Sequence, residues 1–310
     1  MNWQPTSIDK IEILQKCALS NNFVANNYSA LNSILYEKKF NSEIVIEGDW
    51  IFERFYEDGK VRYSFPHNVN GTLQGDDTPV TNVITNFVNA NSTQGEKLIF
   101  ENITAEEKDT LVQLYPMAIV TPTPESGDYI YKTENLANLA GKKYSRKRNH
   151  IHQFQNKYAE YNFEPLSKNN FDAVRTIEEN WLKENTENAL AMGTLSDLEI
   201  EKKIIFFALE NYDTFSKQCG MTGGVLYISG TPAAFCIASL LSQKVTDVHF
   251  EKCLSAFGRD GGYAIINNEF AKTVQSEFIN REEDLGIEGL RKAKLSYYPE
   301  YVLEKFTVQI

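Results

Sequence analysis

The chain has 310 residues, of which 42% are apolar and 12% aromatic, and its 31 basic and 42 acidic side chains give a formal charge of −11. This composition is typical of a folded, soluble protein and excludes intrinsic disorder, and no apolar run approaches the roughly 18 residues of a membrane span. The length predicts two domains, and the excess of acids argues against a general nucleic-acid binder.

The N-terminus and the cysteines bear on the compartment. Acidic side chains occur in the first 17 residues, where a signal peptide has its apolar region, so we expect a cytoplasmic protein. The cysteines lie far apart and form no C-x-x-C pair, which predicts reduced, mostly buried thiols rather than disulfides or a zinc site. They are Cys17, Cys219, Cys236 and Cys253.

The first half is predicted to mix helices and strands. Its clearest element is a hairpin, 51–56 and 60–65, joined by Asp58-Gly59, a dipeptide that favours a type I′ turn. Pro79 suits the first turn of a helix, and Thr104 with Glu107 forms a capping-box pattern. The expected elements are helices 8–20 and 25–38, strand 44–46, the hairpin, helix 79–90, strand 97–100, helix 104–114, and strands 117–121 and 129–131.

The second half repeats this order, which suggests an internal duplication. A capping box from Ser196 to Glu199 is expected to open its second helix, and Ser229-Gly230 is expected to join two strands. The predicted elements are strand 160–166, helix 170–186, the helix from 196, strands 223–229, 233–241 and 245–253, helix 262–276, strand 277–281, helix 286–296 and strand 301–308.

The resulting order, β-α-α-β-β-β-α-β-α-β, is that of GNAT-type acyltransferases. It predicts an α+β fold of two tandem GNAT-like (acyl-CoA N-acyltransferase-like) domains, each a mixed, mostly antiparallel sheet flanked by helices. We expect an N-terminal domain at 1–133, a basic helical connector at 134–158 and a C-terminal domain at 159–310 that carries the active site. Fold alone does not fix the function.

The connector has the sharpest change of composition in the chain. Residues 141–158 carry six cations and no acid, so the rest of the chain has a formal charge of −17. On a helix, Lys142, Arg146 and His150 would share one face. This strip predicts a single docking site for a polyanion, with the phosphates of a tRNA as the candidate. Its candidate anion-binding residues are Lys142, Lys143, Arg146, Lys147 and Arg148.

The segment 259–264 fits the pattern [R/Q]-x-x-G-x-[G/A], with which GNAT enzymes hold the pyrophosphate of acetyl-CoA. It stands between a predicted strand and a predicted helix, where main-chain N–H groups and the helix dipole favour an anion. The alternative is a glycine-rich turn that binds nothing. The candidate donor-binding residues are Arg259, Gly262, Tyr263, Ala264 and Asn267.

Strand 245–253 is predicted to place Asp247, His249 and Glu251 on one face. An imidazole beside a carboxylate is suited to proton transfer, whereas the alternative is a solvated strand face. His150 and His152 are unsuited to bind one metal ion together, because their spacing points them to different sides of a helix. We therefore predict no metal site.

The segment 280–299 is the most highly charged part of the second half. Acids and bases gather at the carboxyl end of one strand and the start of one helix, which predicts a polar cleft, although pairing on the surface is also available to them. The candidate catalytic residues of this segment are Arg281, Asp284, Glu288, Arg291 and Lys292, to which His249 and Glu251 are added from the strand.

Several segments resemble the phosphatidylglycerol lysyltransferase C-terminal domain family over roughly residues 128–310. They are Gly141–His150, His249–Lys252, Gly262–Asn267 with Glu269-Phe270, Asn280–Tyr297 and Tyr301–Lys305. The resemblance implies tandem GNAT-like domains related to the Fem-type peptidyltransferases, which transfer an amino acid from aminoacyl-tRNA to a cell-envelope acceptor. We expect no counterpart here of the N-terminal membrane region of characterised lysyltransferases or of the helical arm of many Fem-type enzymes, so the acceptor stays open.

The leading hypothesis is an aminoacyl or acyl transferase. Its donor would be aminoacyl-tRNA or a similar activated ester, and its acceptor an amine or hydroxyl group, for instance of a lipid or envelope precursor at the membrane surface. His249 and Glu251 would orient or deprotonate the nucleophile, and Arg281, Arg291 or Lys292 would stabilise the carbonyl oxygen. Asp284 or Glu288 would hold the α-amino group of the donor.

Two further hypotheses stay open. One is an acetyl-CoA-dependent N-acetyltransferase, in which Arg259, Gly262 and Ala264 hold the pyrophosphate. The other is a non-catalytic binding protein that keeps the fold and the basic strip. No cofactor other than a donor substrate is predicted, and the sequence does not give the oligomeric state.

Overall fold

Helices and strands follow one another from residue 4 to residue 309 in the computed structural model, which describes residues 1–71, 74–75, 78–92 and 97–310. The chain divides into two units. The first contains residues 1–130, 241–244 and 280–310, and the second contains residues 131–240 and 245–279.

Except that the predicted helix 25–38 is a 3-10 turn, Asn26–Tyr28, followed by two short helices, the helices and strands expected in the first half are present with shifted boundaries. They are β1 (Gln4–Pro5), α1 (Ile11–Asn21), α2 (Ala30–Leu35), α3 (Glu37–Phe40), β2 (Glu43–Glu47), β3 (Trp50–Glu57), β4 (Lys60–Tyr63), β5 (His67–Asn68), β6 (Gln74–Gly75), β7 (Thr78–Pro79), α4 (Val80–Asn91), β8 (Ile99–Ile103), α5 (Ala105–Leu114), β9 (Ile119–Pro122) and β10 (Asp128–Lys132).

The elements of the second half follow in the predicted order. They are α6 (Thr133–Asn138), α7 (Ser145–Lys157), β11 (Tyr161–Pro165), α8 (Phe171–Met192), α9 (Leu195–Glu210), α10 (Tyr212–Cys219), β12 (Thr222–Ile228), β13 (Thr231–Ser242), β14 (Val245–Cys253), α11 (Ser255–Gly258), α12 (Gly262–Ala271), β15 (Phe278–Asn280), α13 (Glu288–Leu295), β16 (Tyr301–Leu303) and β17 (Phe306–Gln309).

The first unit is built on a mixed sheet of order β1-β2-β3-β4-β8-β17-β9, with β5 beside β3. The β4–β8 pair is parallel, and the other pairs whose direction is determined are antiparallel. Asp58 and Gly59 have φ angles of 49° and 70°, as a type I′ turn between β3 and β4 requires. The core packs α4 on this sheet, where the Phe52 and Phe87 rings stack at 5.1 Å.

The predicted strand 301–308 is two strands in the first unit. β16 pairs with residues 128–130 of β10, whereas β17 lies between β8 and β9. The break falls at Lys305, whose ammonium group is buried 2.8 Å from Asp128 Oδ1. A buried charge needs a partner, so this ion pair fixes the point at which the chain changes strands.

The second unit contains the strand order β11-β12-β13-β14-β15. Residues 233–239 of β13 have no exposed surface, so this strand is covered on both faces. Its neighbour β14 is also largely buried, and α12 contributes Ile265, Ile266 and Phe270 to the core. Both faces of β14 therefore lie inside the protein, and its ionisable residues are buried except Glu251, which is partly exposed.

These observations confirm the α+β fold class and the predicted GNAT-like order of elements. The capping box at Thr104 and Glu107 is confirmed. The predicted capping box at Ser196 is wrong, because α9 begins at Leu195 with Thr194 as N-cap and no side-chain cap bond. All four cysteines are buried and free, as predicted.

The expected domain boundaries at 133, 158 and 159 stay predictions, and the two units group the residues differently. Among the described residues, no helix combines the length and the apolar character that a membrane crossing requires.

Candidate functional site

The predicted catalytic residues fall into both units. The first unit contains the charged segment that follows β15, and the second contains β14 and the basic helix α7. The members in the first unit are Arg281, Asp284, Glu288, Arg291 and Lys292, and those in the second are His249 and Glu251.

A tight loop between β15 and α13 carries the acidic run of the charged segment. Glu282 and Leu285 adopt left-handed backbone conformations, with φ angles of 55° and 53°, and Gly286 has a φ angle of 72°. Left-handed conformations at residues other than glycine are strained by roughly 1 kcal/mol or more, and such strain clusters at functional sites. The surrounding contacts must therefore hold this loop in place.

Asp284 is the centre of these contacts. Its carboxylate has no exposed surface and accepts two hydrogen bonds from Arg291, Nε to Oδ2 at 2.7 Å and Nη2 to Oδ1 at 3.0 Å. The Tyr129 hydroxyl donates to Oδ2 at 2.6 Å, and the Gly286 N–H donates to Oδ1 at 2.8 Å. A carboxylate has about four acceptor positions, so these four bonds occupy Asp284 fully.

The hydrogen bonds decide the charge of this group. Burial alone would raise the pKa of Asp284, but the bonds from Arg291, Tyr129 and the Gly286 N–H outweigh it and lower the pKa to about 2. Burial and the neighbouring carboxylate raise the pKa of Tyr129 to about 12. Near neutral pH, Asp284 is therefore ionised, Tyr129 is a hydrogen-bond donor, and the Arg291 side chain, 42% exposed, presents a fixed positive charge.

Glu283 belongs to a second network in the same unit. Its Oε2 accepts a hydrogen bond from Asn26 Nδ2 at 2.5 Å, while Asn26 Oδ1 accepts one from the Lys305 ammonium group. Burial, with the nearby charge of Glu282, raises the pKa of Glu283 to about 7. A carboxyl group that titrates near neutral pH is suited to accept a proton during catalysis.

Lys294 supports the loop from the helix that follows. Its buried ammonium group donates to the Arg281 carbonyl at 2.6 Å and to the Glu283 carbonyl. Burial and the neighbouring Arg281 charge lower the pKa of Lys294 to about 8. The Arg281 guanidinium lies 5.1 Å from the centre of the Tyr297 ring. Lys294 therefore helps to hold the loop, whereas the Arg281 guanidinium packs on Tyr297.

Glu288 and Lys292 form an ion pair at 2.6 Å on the surface of α13. Their side chains are 79% and 73% exposed. This i,i+4 pair matches the alternative interpretation, pairing on the surface, and such pairs contribute little stability. The structure thus brings Asp284 and Arg291 together and leaves Glu288 and Lys292 in solvent.

In the second unit, His249 is buried between two polar side chains. Its Nε2 lies 2.8 Å from the Ser239 hydroxyl, and its Nδ1 lies 3.6 Å from Asp247 Oδ2. Glu251 accepts a hydrogen bond from Asn267 at 3.3 Å. The alternative of a solvated strand face does not describe His249 or Asp247, because burial leaves 1% and 0% of their side chains exposed.

The glycines of the predicted donor loop are explained by close packing. A Cβ atom on Gly262 would come within 2.5 Å of the Cys253 sulfur and 2.9 Å of the Phe257 carbonyl. Gly261 has a φ angle of 106°, and a Cβ atom there would meet the His150 carbonyl at 3.0 Å. These contacts require glycine without any ligand, which favours the turn interpretation. The donor-binding roles of Arg259, Tyr263, Ala264 and Asn267 stay predictions.

The basic strip forms a short 3-10 turn followed by α7. Lys142, Lys143 and Arg146 are exposed. Arg148 instead donates to the carbonyls of Leu139 at 2.5 Å and Gly141 at 2.7 Å, so its guanidinium holds the turn that leads into the helix. The strip therefore presents an exposed cationic surface, and Arg148 stabilises the turn next to it.

Sequence reasoning missed the residues that support the site. Glu283 and Lys294 lie in the charged segment 280–299, and Lys305 ends the segment Tyr301–Lys305. From the sequence, none of the three is assigned a role. Lys305 had a usable signal, because a lysine inside an apolar strand pattern needs a buried anion. No sequence signal joins Tyr129 to Asp284, since 155 positions separate them.

The fold is shared with solved structures. It is that of the C-terminal domain (DUF2156) of a candidate lysylphosphatidylglycerol synthetase from Agrobacterium fabrum, with a TM-score of 0.63, 11% identity, and coverage of 98% of this chain and 92% of that chain. A conserved protein of unknown function from Bacteroides thetaiotaomicron VPI-5482 has a TM-score of 0.88 and 27% identity, over 100% of this chain and 99% of that chain.

The family follows from the sequence match. The family model described as phosphatidylglycerol lysyltransferase, C-terminal, matches residues 67–309, and the chain belongs to this family. An uncharacterised protein of Mycoplasmoides gallisepticum is 18% identical over 216 residues, which are 69% of this chain and 66%, just under two thirds, of that protein. The resemblance identified from residues 128–310 is therefore confirmed and extends toward the N-terminus. Membership in this family relates the chain to lysyltransferases.

Proposed function

We propose that this protein is an aminoacyltransferase that moves an amino acid from aminoacyl-tRNA, or a similar activated ester, to an amine or hydroxyl acceptor. The observation that carries the proposal is the Arg291 guanidinium, which is partly exposed and held in one orientation by two hydrogen bonds to buried Asp284. A cation fixed before the reaction stabilises negative charge without reorganisation.

The proposed reaction is an ester aminolysis or transesterification. The acceptor attacks the carbonyl carbon of the aminoacyl ester, the oxygen becomes negatively charged, and the ribose hydroxyl of the tRNA leaves. Arg291 stabilises the oxyanion, and Glu283 accepts the proton of the nucleophile and returns it to the leaving ribose oxygen. Because the Asp284 carboxylate is fully occupied, we assign it the positioning of Arg291 rather than contact with the donor.

Four of the other predicted residues keep supporting roles in the proposal. Glu288, exposed in the first turn of α13, is available to an α-amino group. Lys142, Lys143 and Arg146 provide the exposed cations that an RNA backbone requires. A lipid or envelope precursor is the proposed acceptor class, consistent with what the name of the Agrobacterium neighbour describes.

The test is a transfer assay with the purified chain. tRNA charged with a mixture of radiolabelled amino acids is incubated with phosphatidylglycerol vesicles or with small amines, and labelled acetyl-CoA replaces it in a parallel series. We expect label to move from aminoacyl-tRNA. Acetyl transfer without aminoacyl transfer would favour the N-acetyltransferase, and binding of charged tRNA without turnover of either donor would favour the non-catalytic protein.

A further inference from the structure

A small pocket in the first unit is lined by residues to which the proposed transfer reaction assigns no role. Its walls come from α1, the segment 23–33, β3 and the segment 64–67. The pocket has an empty volume of about 330 Å³, which includes space open to solvent, and its inner space is only about 20 Å³. That inner space holds one water molecule or one small head group.

Glu53 is the charged group that lines this pocket without an observed partner. Among the residues that the structure describes, its carboxylate has neither a hydrogen-bond donor nor an ion-pair partner. Its strand position places it on the same face of β3 as Ile51, which also lines the pocket. Burial raises the pKa of Glu53 to about 7. Glu53 is partly exposed, so a donor or a counter-charge from outside the chain can reach its carboxylate.

The rest of the lining is aromatic. Phe23 lies 4.5 Å from Tyr28 and 4.4 Å from His67, measured between ring centres, and Phe65 lies 5.5 Å from His67. All four rings line the pocket. Aromatic faces attract cations within roughly 6 Å of the ring centre, most strongly where water is excluded.

The nearby titratable groups leave the pocket negative or neutral rather than positive. Glu107 accepts hydrogen bonds from the Tyr28 hydroxyl at 2.9 Å and lies 3.2 Å from His67 Nε2. Burial opposes its ionisation, but the bonds from His67, the Thr104 N–H and Tyr28 lower the pKa of Glu107 below its ordinary value. His67 pairs with Glu107 rather than with Glu53, so the charge of Glu53 stays uncompensated.

We propose that this pocket binds the head group of an organic ammonium ion, with the Glu53 carboxylate as its counter-ion and the four rings as its walls. The narrow inner space admits the ammonium group, and the rest of the ligand extends toward solvent. A hydrated divalent metal fits poorly, because Mg²⁺ and Ca²⁺ require about six oxygen ligands and this pocket offers one carboxylate among aromatic rings. The site is independent of the transfer reaction.

The experiment follows the Ile51 δ1 methyl signal by NMR while n-propylammonium chloride is added to the full chain at pH 8. n-Propanol is the neutral control, and sodium chloride the ionic-strength control. Nα-acetyl-lysine N-methylamide is a second probe that presents the same group at the end of a side chain. We expect saturable shifts with n-propylammonium and none with n-propanol.

The two amines distinguish the ligand class. A response to both amines assigns the site to any terminal ammonium group, and a response to n-propylammonium alone assigns it to small free amines.

Variants test the assignment of residues. Glu53→Gln is expected to weaken binding at least tenfold, and Phe23→Leu about threefold or more. Glu57→Gln, on the same strand but outside the pocket lining, is the matched control and is expected to bind like the wild type. Equal shifts with n-propanol, or unchanged affinity in Glu53→Gln, would overturn the proposal. An absence of saturable shifts with both amines would show that the pocket holds water only and would overturn it as well.

Discussion

The Arg291 guanidinium donates both Nε and Nη2 to the Asp284 carboxylate, at 2.7 Å and 3.0 Å, from one turn into the helix that follows the strained loop. A two-point contact fixes the plane of the guanidinium, which a single hydrogen bond does not. The buried Asp284 carboxylate thus holds the partly exposed Arg291 guanidinium in one orientation.

The first prediction concerns the stability that Asp284 contributes. The folded pKa of Asp284, about 2, lies below its ordinary value of 3.8, so its ionised form stabilises the fold above pH 3.8, and this contribution is lost as the pH falls toward 2. Asp284→Asn is expected to lose about 2 kcal/mol of unfolding free energy at pH 7, measured with urea. Asp172→Asn, which removes the exposed partner of Arg175, is the control and should change little. Equal stability of both variants would contradict this account.

The second prediction concerns the pH dependence of transfer. With a pKa of about 7, Glu283 gains its proton-accepting form as the pH rises through neutrality. The kcat/KM of the wild type should therefore rise from pH 6 to pH 8, and Glu283→Gln should lose at least 10²-fold in activity together with this limb of the profile. A Glu283→Gln variant that keeps both the limb and the rate would assign proton transfer to another group.

The third prediction separates the exposed cations of the basic strip from Arg148. Lys142→Glu with Arg146→Glu should weaken tRNA binding and reduce the slope of log K against log salt by about 2, one for each lost phosphate contact. Lys183→Glu with Lys217→Glu, two exposed positions elsewhere in the second unit, is the matched control. The idea fails if both double variants bind alike.

The fourth prediction concerns Glu53 and stability. Its folded pKa, about 7, exceeds the ordinary 4.5, so the folded protein loses stability as the pH rises from 4.5 through 7, up to about 3 kcal/mol. Glu53→Gln does not ionise and should unfold at a higher temperature than the wild type at pH 8, with little difference at pH 5. Glu57→Gln serves as the control on the same strand. A lower melting temperature for Glu53→Gln at pH 8 would show that its carboxylate is stabilised by the fold.

Much of the fold was predictable because local chemistry determines it. Asp58-Gly59 set the hairpin, and the Thr104 pattern set a helix start, since both act within a few residues. The predicted capping box at Ser196 was wrong: the left-handed Gly193 ends α8, and α9 already begins at Leu195. Where neighbouring elements compete, the local pattern is insufficient.

The candidate site was predictable in its composition and not in its geometry. The charged segment identified Asp284 and Arg291 as candidates, but their pairing depends on left-handed residues at 282 and 285, which glutamate and leucine do not indicate. In the sequence, Glu53 resembles an ordinary solvent-facing residue of a hairpin strand. The alternation of polar and apolar residues does not show which face of two paired strands becomes buried. Long-range packing supplies that information.

The most direct test of the central claim is the single-turnover rate of amino-acid transfer from saturating aminoacyl-tRNA in three proteins: the wild type, Arg291→Ala and Arg175→Ala. Arg175 also pairs with an aspartate, but on the surface of a helix in the second unit. We predict a loss of 10²-fold or more for Arg291→Ala and a change within about twofold for Arg175→Ala. Transfer by Arg291→Ala within threefold of the wild type would contradict the proposal that the Asp284-held guanidinium stabilises the reaction.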